Sequence, residues 1–401
     1  EAATLGRGGV AGFCTVAGGA TSHVALLARS MGIPAVAGID ARALEVEPGV
    51  PGILDGDAGE LRLAPDEAER ESVRERCARR AARRTADRLA ALEPAWTRDG
   101  VRVTVLGNAG SLADAEDAIA AGAEGIGLLR SELLFLERAN VPTEDEQEAV
   151  YRAVAEAVGP GRPLVVRTFD VGGDKPLRWL PLPEEENPAL GERGLRVFID
   201  RPDLFRAQVR ALLRVPPEYD VRVTFPMVAT LDEWRGALAD VEEERAALGA
   251  LPRVAGMTVE VASAAILADA FLREAGFATI GTNDLTQFTL AMDRGHPRLS
   301  PRADALDPAV LHLVARTAAA ARKRGVPVAV CGALAGDLAA VPLLLGLGVG
   351  ELSVGAAQVP SVKARVRELS LEECRFLAVG ALEAGTAAEV RALLAAARGA
   401  A

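Results

Sequence analysis

From residue 100 to the end of the chain, short runs rich in Val, Ile and Leu alternate with longer segments of Ala, Leu, Glu and Arg. The β-type runs are Val101–Leu106, Gly125–Leu129, Pro163–Arg167, Asp220–Phe225, Val254–Val259, Phe277–Gly281, Val326–Val330 and Glu351–Val354. Each is separated from the next by enough chain for a helix. Eight such units predict a (β/α)8 barrel over residues 99–401. Periodicity alone also suits a doubly wound open sheet, and it is the count of eight that favours the barrel.

The first hundred residues read differently. Residues 1–64 are rich in Gly and Val, with short apolar runs split by Gly-Gly and Pro-Gly turns, and predict a small partial domain. Residues 65–98 begin with a stretch dense in Arg, Glu and Ala, which predicts a solvated linker helix with Glu75 and Arg79 as a favourable i,i+4 pair. Eight arginines from Arg70 to Arg88 raise the question of an anionic partner. The acids interspersed among them favour a charged, solvated face instead.

Composition narrows the function. A net charge of -11 argues against nucleic acid, whose phosphates are bound by a basic excess. No window supplies the ~20 apolar residues of a membrane span. Glu1-Ala2-Ala3-Thr4 has neither the basic start nor the apolar core of a signal peptide, so a cytoplasmic protein without membrane insertion is expected. The first residue is Glu rather than Met, which suggests a piece of something longer. Cys14, Cys77, Cys331 and Cys374 lie far apart without a CxxC pair, so neither a disulfide framework nor a zinc site is expected.

In a barrel of this kind the reactive side chains follow the C-terminal ends of the strands. The second predicted strand runs into Arg130-Ser131-Glu132. The third ends at Arg167, followed by Asp170 and the turn Gly172-Gly173-Asp174-Lys175. The fifth runs into Glu260, the sixth into Asn283-Asp284 and the seventh into Cys331-Gly332. Arg130, Arg167 and Arg193 suit a dianionic phosphate, which guanidinium groups bind through paired hydrogen bonds. Glu260 and Asp284 offer two hard oxygen ligands, too few for a closed cage but suited to Mg2+, which completes its octahedron with water and substrate oxygens. Asn283 and Arg294 can address a substrate carboxylate, and Cys331 can donate a proton to carbon. Taken singly, any of these charges reads equally well as a rim salt bridge, and Cys331 as a small buried hydrophobe. Their placement at strand ends favours the functional reading.

A second centre is Gly18-Gly19-Ala20-Thr21-Ser22-His23. Thr21 or Ser22 suits an N-cap, the run Val24–Met31 a helix, and Gly32 with Pro34 its stop. His23 then falls in or next to the first turn, where free N–H groups and the helix dipole favour an anion. A lone His is more often structural, and the glycine turn and cap are what raise this one.

These motifs resemble Enzyme I, the phosphoenolpyruvate–protein phosphotransferase family of the bacterial sugar phosphotransferase system. The resemblance is carried by Gly-Gly-Ala-Thr-Ser-His23 through Gly38, Gly-Ile-Gly-Leu-Leu-Arg130-Ser-Glu, and Arg167-Thr-Phe-Asp-Val-Gly-Gly-Asp-Lys175. It continues in Glu186–Arg193, Gly281–Phe288, Met292–Gly295 and Cys331–Asp337, and covers nearly the whole chain. It implies that residues 1–64 are part of a swivelling phosphohistidine domain and 99–401 a phosphoenolpyruvate-binding barrel. It implies that His23 is phosphorylated through in-line attack by Nε2, and that Arg130, Arg167 and Arg193 contact the phosphoryl group. Glu260 and Asp284 would bind Mg2+, Asn283 and Arg294 would hold the substrate, and Cys331 would protonate the enolate as pyruvate forms. It further implies HPr as phosphoryl acceptor, a homodimer through the barrel, and a swing of the small domain on the charged linker.

Three departures stand against the family pattern. Ala333 occupies a position where Glu is usual, and Val261-Ala262 replace a Thr-Pro pair after the metal-binding Glu. The helical subdomain that docks HPr and the early strands of the phosphohistidine domain are expected upstream of Glu1, in a longer parent protein. Two other readings remain open at this point: a phosphoenolpyruvate synthase or pyruvate phosphate dikinase, which needs an ATP-binding domain, and a degenerate regulatory module.

Overall fold

The computed structural model describes residues 10–16, 33–56, 58–173 and 177–399. The chain divides into two compact units, Glu1–Ala86 and Asp87–Ala401.

In the first unit β1 (Phe13–Thr15) runs parallel to β2 (Ala35–Ala37), with Phe13 opposite Ala35. A hairpin follows, β3 (Gly52–Asp55) antiparallel to β4 (Glu60–Leu63). Val36 alone among the described strand residues of this unit is buried. The charged helix begins at Glu67 and runs to Ala90 with no buried residue, so helix propensity and local ion pairs support it rather than packing. Arg74 reaches Glu71 at 3.2 Å, and Arg79 reaches Glu75 at 3.4 Å, the pair expected from the sequence.

The second unit opens with β5 (Ala95–Trp96), antiparallel to the start of β6 (Arg102–Ala109). From β6 onward every pairing is parallel. The strands β7 (Ile126–Arg130), β8 (Pro163–Arg167), β9 (Asp220–Phe225), β10 (Ala255–Val259), β11 (Ala278–Ile280), β12 (Val328–Val330) and β13 (Glu351–Gly355) follow in spatial order. β13 pairs back onto β6, Glu351 opposite Thr104 through Gly355 opposite Asn108, and closes the barrel. The open-sheet alternative falls on this last pairing. Helices between successive strands cover the outside, which is why the strands read as nearly continuous apolar runs.

Inside, the hydroxyls of Thr224 and Thr258 meet at 3.1 Å and Thr279 donates to Thr258 at 3.4 Å, linking β9, β10 and β11. The chain has ten Phe, three Trp and two Tyr. Phe135, Tyr151, Phe169, Trp179, Phe198, Phe205, Phe225 and Trp234 form one succession of ring contacts, with centroids 5.5 to 6.5 Å apart. Aromatic pairs contribute about 0.5–1.5 kcal/mol each beyond their area. Gathered behind β7, β8 and β9, they stiffen the sector that carries Arg130 and Arg167.

At the opposite end of the barrel, Lys363 is fully buried. Its Nζ donates to the carbonyls of Ala91 at 2.8 Å and Glu93 at 3.1 Å. Arg367 donates to Ala90 at 2.8 Å, Glu93 at 2.9 Å and Pro94 at 3.3 Å. Two cations thus satisfy the open carbonyls where the charged helix ends.

Candidate active site

The C-terminal ends of the strands surround a cleft of about 520 Å³, of the size that takes a small molecule. Arg130 and Arg167 are the last residues of β7 and β8. Glu260 and Cys331 follow β10 and β12 directly, and Asn283, Asp284 and Arg294 come from the segment after β11. All seven line the cleft, with Leu128, Leu133, Leu136 and Leu177 as an apolar wall.

Arg193 comes from the long excursion between β8 and the helix Pro202–Arg214 and is buried beneath the cleft rather than lining it. Its Nε and Nη2 donate to the two oxygens of Asp170 at 3.1 and 3.3 Å, and Nη1 donates to Asp284 Oδ1 at 2.8 Å. Gly172, with φ at +96°, lets the Gly-Gly turn approach this segment: a side chain there would stand 3.0 Å from the Arg193 Cα. Asp174 and Lys175 of that turn, and His23 with its expected cap and helix over 21–32, lie outside the described residues.

Charge in the cleft is shared unequally. Arg167 donates to Glu132 Oε1, and its Nη1 lies 3.1 Å from Asp170 and 3.6 Å from Glu260. Burial works against its charge, but the carboxylates of Glu132, Asp170 and Glu260 outweigh it and raise the guanidinium above its ordinary value. Burial likewise opposes charge on Arg193, and Asp170 and Asp284 again prevail. Arg130, only partly buried, has no carboxylate partner among the described residues and faces the cleft.

Glu260 is the under-compensated group. Burial raises its pKa, the nearby Asp284 and Asp170 raise it further, and Arg167 and Arg193 offset only part of this. Its Oε2 accepts the N–H of Met227 at 3.1 Å, which Met227 presents through a left-handed backbone at φ 58°. Asp284 Oδ2 accepts from Arg294 Nη1 at 3.2 Å. A divalent cation beside Glu260 and Asp284 would supply the missing positive charge, so the donor chemistry fits Mg2+. Among the described residues no group of three or more His, Cys, Asp or Glu is arranged as a cage. Such an ion would take its other ligands from water and substrate.

Cys331 is buried, its Sγ 3.6 Å from the Ile280 carbonyl it donates to. Burial, then the Glu260 carboxylate, push its thiol up to about 12, so it keeps its proton at neutral pH. Asn283 Oδ1 accepts the backbone N–H of Ala333 at 3.0 Å, which orients the amide with Nδ2 as its remaining donor. That contact needs only the backbone of Ala333 and survives the departure from Glu. Val261 leaves the short helix Ala262–Ile266 without a side-chain cap, where the family pattern has Thr.

Several contributors were given no role from the sequence. Glu132 and Asp170 serve Arg167 and Arg193. Asn108 Nδ2 donates to the Cys331 carbonyl at 3.2 Å and the Ser353 carbonyl at 3.0 Å, tying the closing seam of the barrel to the thiol's backbone. Gln208 and Ser131 lie behind the arginines. A Gln in the buried stripe Phe205–Gln208–Val209–Leu212 was the available signal for Gln208.

With this geometry in view, residues 84–371 match the PEP-binding domain of the PEP-utilising enzymes, and residues 2–59 match their mobile domain. The chain belongs to the PEP-utilising enzyme family. Within that family it is 44% identical to a multiphosphoryl transfer protein of Rhodobacter capsulatus over 384 residues, which cover 96% of this chain and 46% of that protein. A phosphoenolpyruvate-protein phosphotransferase of Bacillus sp. (strain S) is 41% identical over 396 residues, covering 97% and 68%. That of Haloferax volcanii is 43% identical over 395 residues, covering 96% and 68%. The chain therefore spans about half the length of the multiphosphoryl transfer protein and about two thirds of the two phosphotransferases. Among the described residues of this PEP-utilising enzyme, no helix is long and apolar enough to cross a membrane.

Proposed function

We propose that the chain is the phosphohistidine segment and substrate barrel of a phosphoenolpyruvate–protein phosphotransferase. The observation that carries this reading is Arg130. It is an arginine without a carboxylate partner among the described residues, facing a cleft that also holds Arg167, an under-compensated Glu260 and a protonated thiol. An anion of the size of phosphoenolpyruvate complements that set. The names of the similar proteins support the same substrate and the same reaction.

In this reading residues 1–64 carry His23, 65–98 are the linker and 99–401 the barrel. Arg130 and Arg167 hold the phosphoryl oxygens, with Arg193 bracing the carboxylates beneath them. Asn283 Nδ2 and Arg294 orient the substrate carboxylate. Mg2+ held by Glu260 and Asp284 would supply Lewis-acid stabilisation of the phosphoryl and enolate oxygens. His23 Nε2 attacks phosphorus in line, forming the N–P bond as the bond from phosphorus to the enolate oxygen breaks. The enolate carbon takes the Cys331 proton, yielding pyruvate, and the thiolate regains a proton from water. The phosphoryl group then passes to a histidine of HPr. The protein acts in the cytoplasm as a homodimer through the barrel.

The test is incubation with 32P-phosphoenolpyruvate and Mg2+, with His23→Ala alongside and binding followed by calorimetry. Acid-labile label on the chain and none on the variant is expected. Absence of both label and binding in the folded chain would overturn the reading.

A further inference from the structure

Behind the cleft, and not lining it, a polar network is sealed between the helices Glu144–Val158 and Pro202–Arg214. Gln208 is fully buried there, with both of its N–H donors and its carbonyl oxygen engaged. Its Nε2 donates to Ser131 Oγ at 3.0 Å and to the Tyr151 hydroxyl at 2.9 Å. Its Oε1 accepts the backbone N–H of Phe169 at 3.1 Å. The amide has one orientation only, since a flipped amide would set its NH2 against the Phe169 N–H. Ser131 passes the link on by donating to the Arg167 carbonyl at 2.6 Å. The Tyr151 hydroxyl donates to Gln147 Oε1 at 3.3 Å, and Gln147 Nε2 donates to the Pro142 carbonyl at 3.1 Å, so the network ends without an orphan group.

Ser131 stands in sequence between Arg130 and Glu132, and Phe169 between Arg167 and Asp170. One side chain therefore grips, from the rear, both segments whose charged residues gather at the cleft. Net stability does not demand such a device, because a buried hydrogen-bonded network gains little over apolar packing of the same shape. What it fixes is the spacing between two strand ends that are joined only by short parallel pairing, Arg130 opposite Arg167.

We propose that Gln208 is a positioning residue: through Ser131 and Phe169 it sets the distance between Arg130 and Arg167 so that both meet one phosphoryl group. The inference rests on the phosphoenolpyruvate reading for its ligand but not for its geometry. Gln208 touches no substrate and acts through the two arginines.

The test uses the full chain with Gln208→Leu, Gln208→Glu and Ser131→Ala. Three quantities are followed: phosphoenolpyruvate affinity with Mg2+ by calorimetry, melting temperature, and the guanidinium Nε–Hε NMR signal of Arg167 in the ligand-free protein, assigned through Arg167→Lys. Positional errors near 1 Å can cost on the order of a hundredfold in a reacting site. A loss of about tenfold in affinity is expected for Gln208→Leu and for Ser131→Ala, no larger in the double variant because they break one link. The Arg167 signal should move in each. Gln208→Glu, which keeps the acceptor for Phe169 but lacks the NH2 donors, should resemble Gln208→Leu. If Gln208→Leu fails to fold, Ser131→Ala decides, since it interrupts the same path with one atom. Variants that melt lower yet keep the native affinity and an unmoved Arg167 signal would overturn the proposal. Should the unaltered chain fail to bind phosphoenolpyruvate while the Arg167 signal still moves, the ligand reading falls and the positioning role stands.

Discussion

Gly332 and Thr282 are packed so closely that a methyl group on the Gly332 Cα would come within 2.7 Å of the Thr282 backbone nitrogen, and closer still to its hydroxyl. The contact joins the residue after Cys331 to the residue before Asn283, so it spaces the thiol from the substrate-facing amide. Gly332→Ala must push one of the two aside. Overpacking of this kind typically costs about 1–3 kcal/mol, measurable as a lowered urea midpoint at unchanged slope. Phosphoenolpyruvate affinity should fall in the fraction that remains folded. Unchanged affinity would show that the spacing tolerates the shift.

Arg193 is the keystone of the buried charges, chelating Asp170 and donating to Asp284. Arg193→Met fills similar volume but takes away the guanidinium that Asp170 and Asp284 share. Removing one partner of a buried ionic set costs about 3–5 kcal/mol, and chemical denaturation should register a loss of that order. A loss below 1 kcal/mol would mean that water enters and solvates the carboxylates.

The Cys331 thiol, pushed up to about 12 by burial and then by Glu260, makes two expectations about pH. In the native protein iodoacetamide at pH 8 should modify the exposed Cys14 and Cys77 and spare Cys331 and Cys374. The sign of the stability effect follows from a folded value above the ordinary 9.0. Below 9 both states hold the proton and nothing changes. As pH rises from 9 toward 12 the unfolded thiol ionises and the folded one does not, so the folded state loses ground. Cys331→Ser removes that loss, and the stability difference between it and the unaltered chain should drift in favour of the variant over this window. A constant difference would contradict the assignment.

Lys363 holds two carbonyls at the end of the charged helix. Lys363→Met leaves them without that donor in a buried place, a cost of about 1–3 kcal/mol. Amide hydrogen exchange should locate the effect: protection should fall around residues 90–96 and remain high in β8 and β9. Uniform loss of protection would show that the anchor supports the whole barrel.

The barrel was legible because its strands are mostly apolar and several run directly into charge, as at Arg130, Arg167 and Glu260. Pro163–Arg167 and Asp220–Phe225 appear with the expected bounds. Others shift because a partner sets the boundary. The expected Val101–Leu106 extends to Ala109, since Gly107 and Asn108 still pair with β13. The expected Val326–Val330 begins only at Val328, since Pro327 has no N–H to give the ladder. The two-residue β5 carries no periodicity at all. In the site, strand-end charges could be read off, and the structure gathers Arg130, Arg167, Glu260, Asn283, Asp284, Arg294 and Cys331 at one cleft. The burial of Arg193 could not be read, because its partners lie 23 and 91 residues away, and Asn108 reaches its acceptors across 223 and 245.

The closing seam has one more consequence. β13 pairs with β6 as any neighbours do, and just beyond them the Arg98 N–H donates to the Leu369 carbonyl while Asp99 accepts the N–H groups of Leu371 and Glu372. The chain entering the barrel and the chain leaving it are already in contact, so a short joint between them could replace a break elsewhere. The exposed turn at Gly159–Arg162, where Gly159 and Gly161 have open space around them, is the natural place for that break. A circularly permuted chain beginning at β8 would meet the same neighbours in the same register. The order in which the ribosome lays down the eight strands is a matter of ancestry, and the finished cylinder keeps no memory of it.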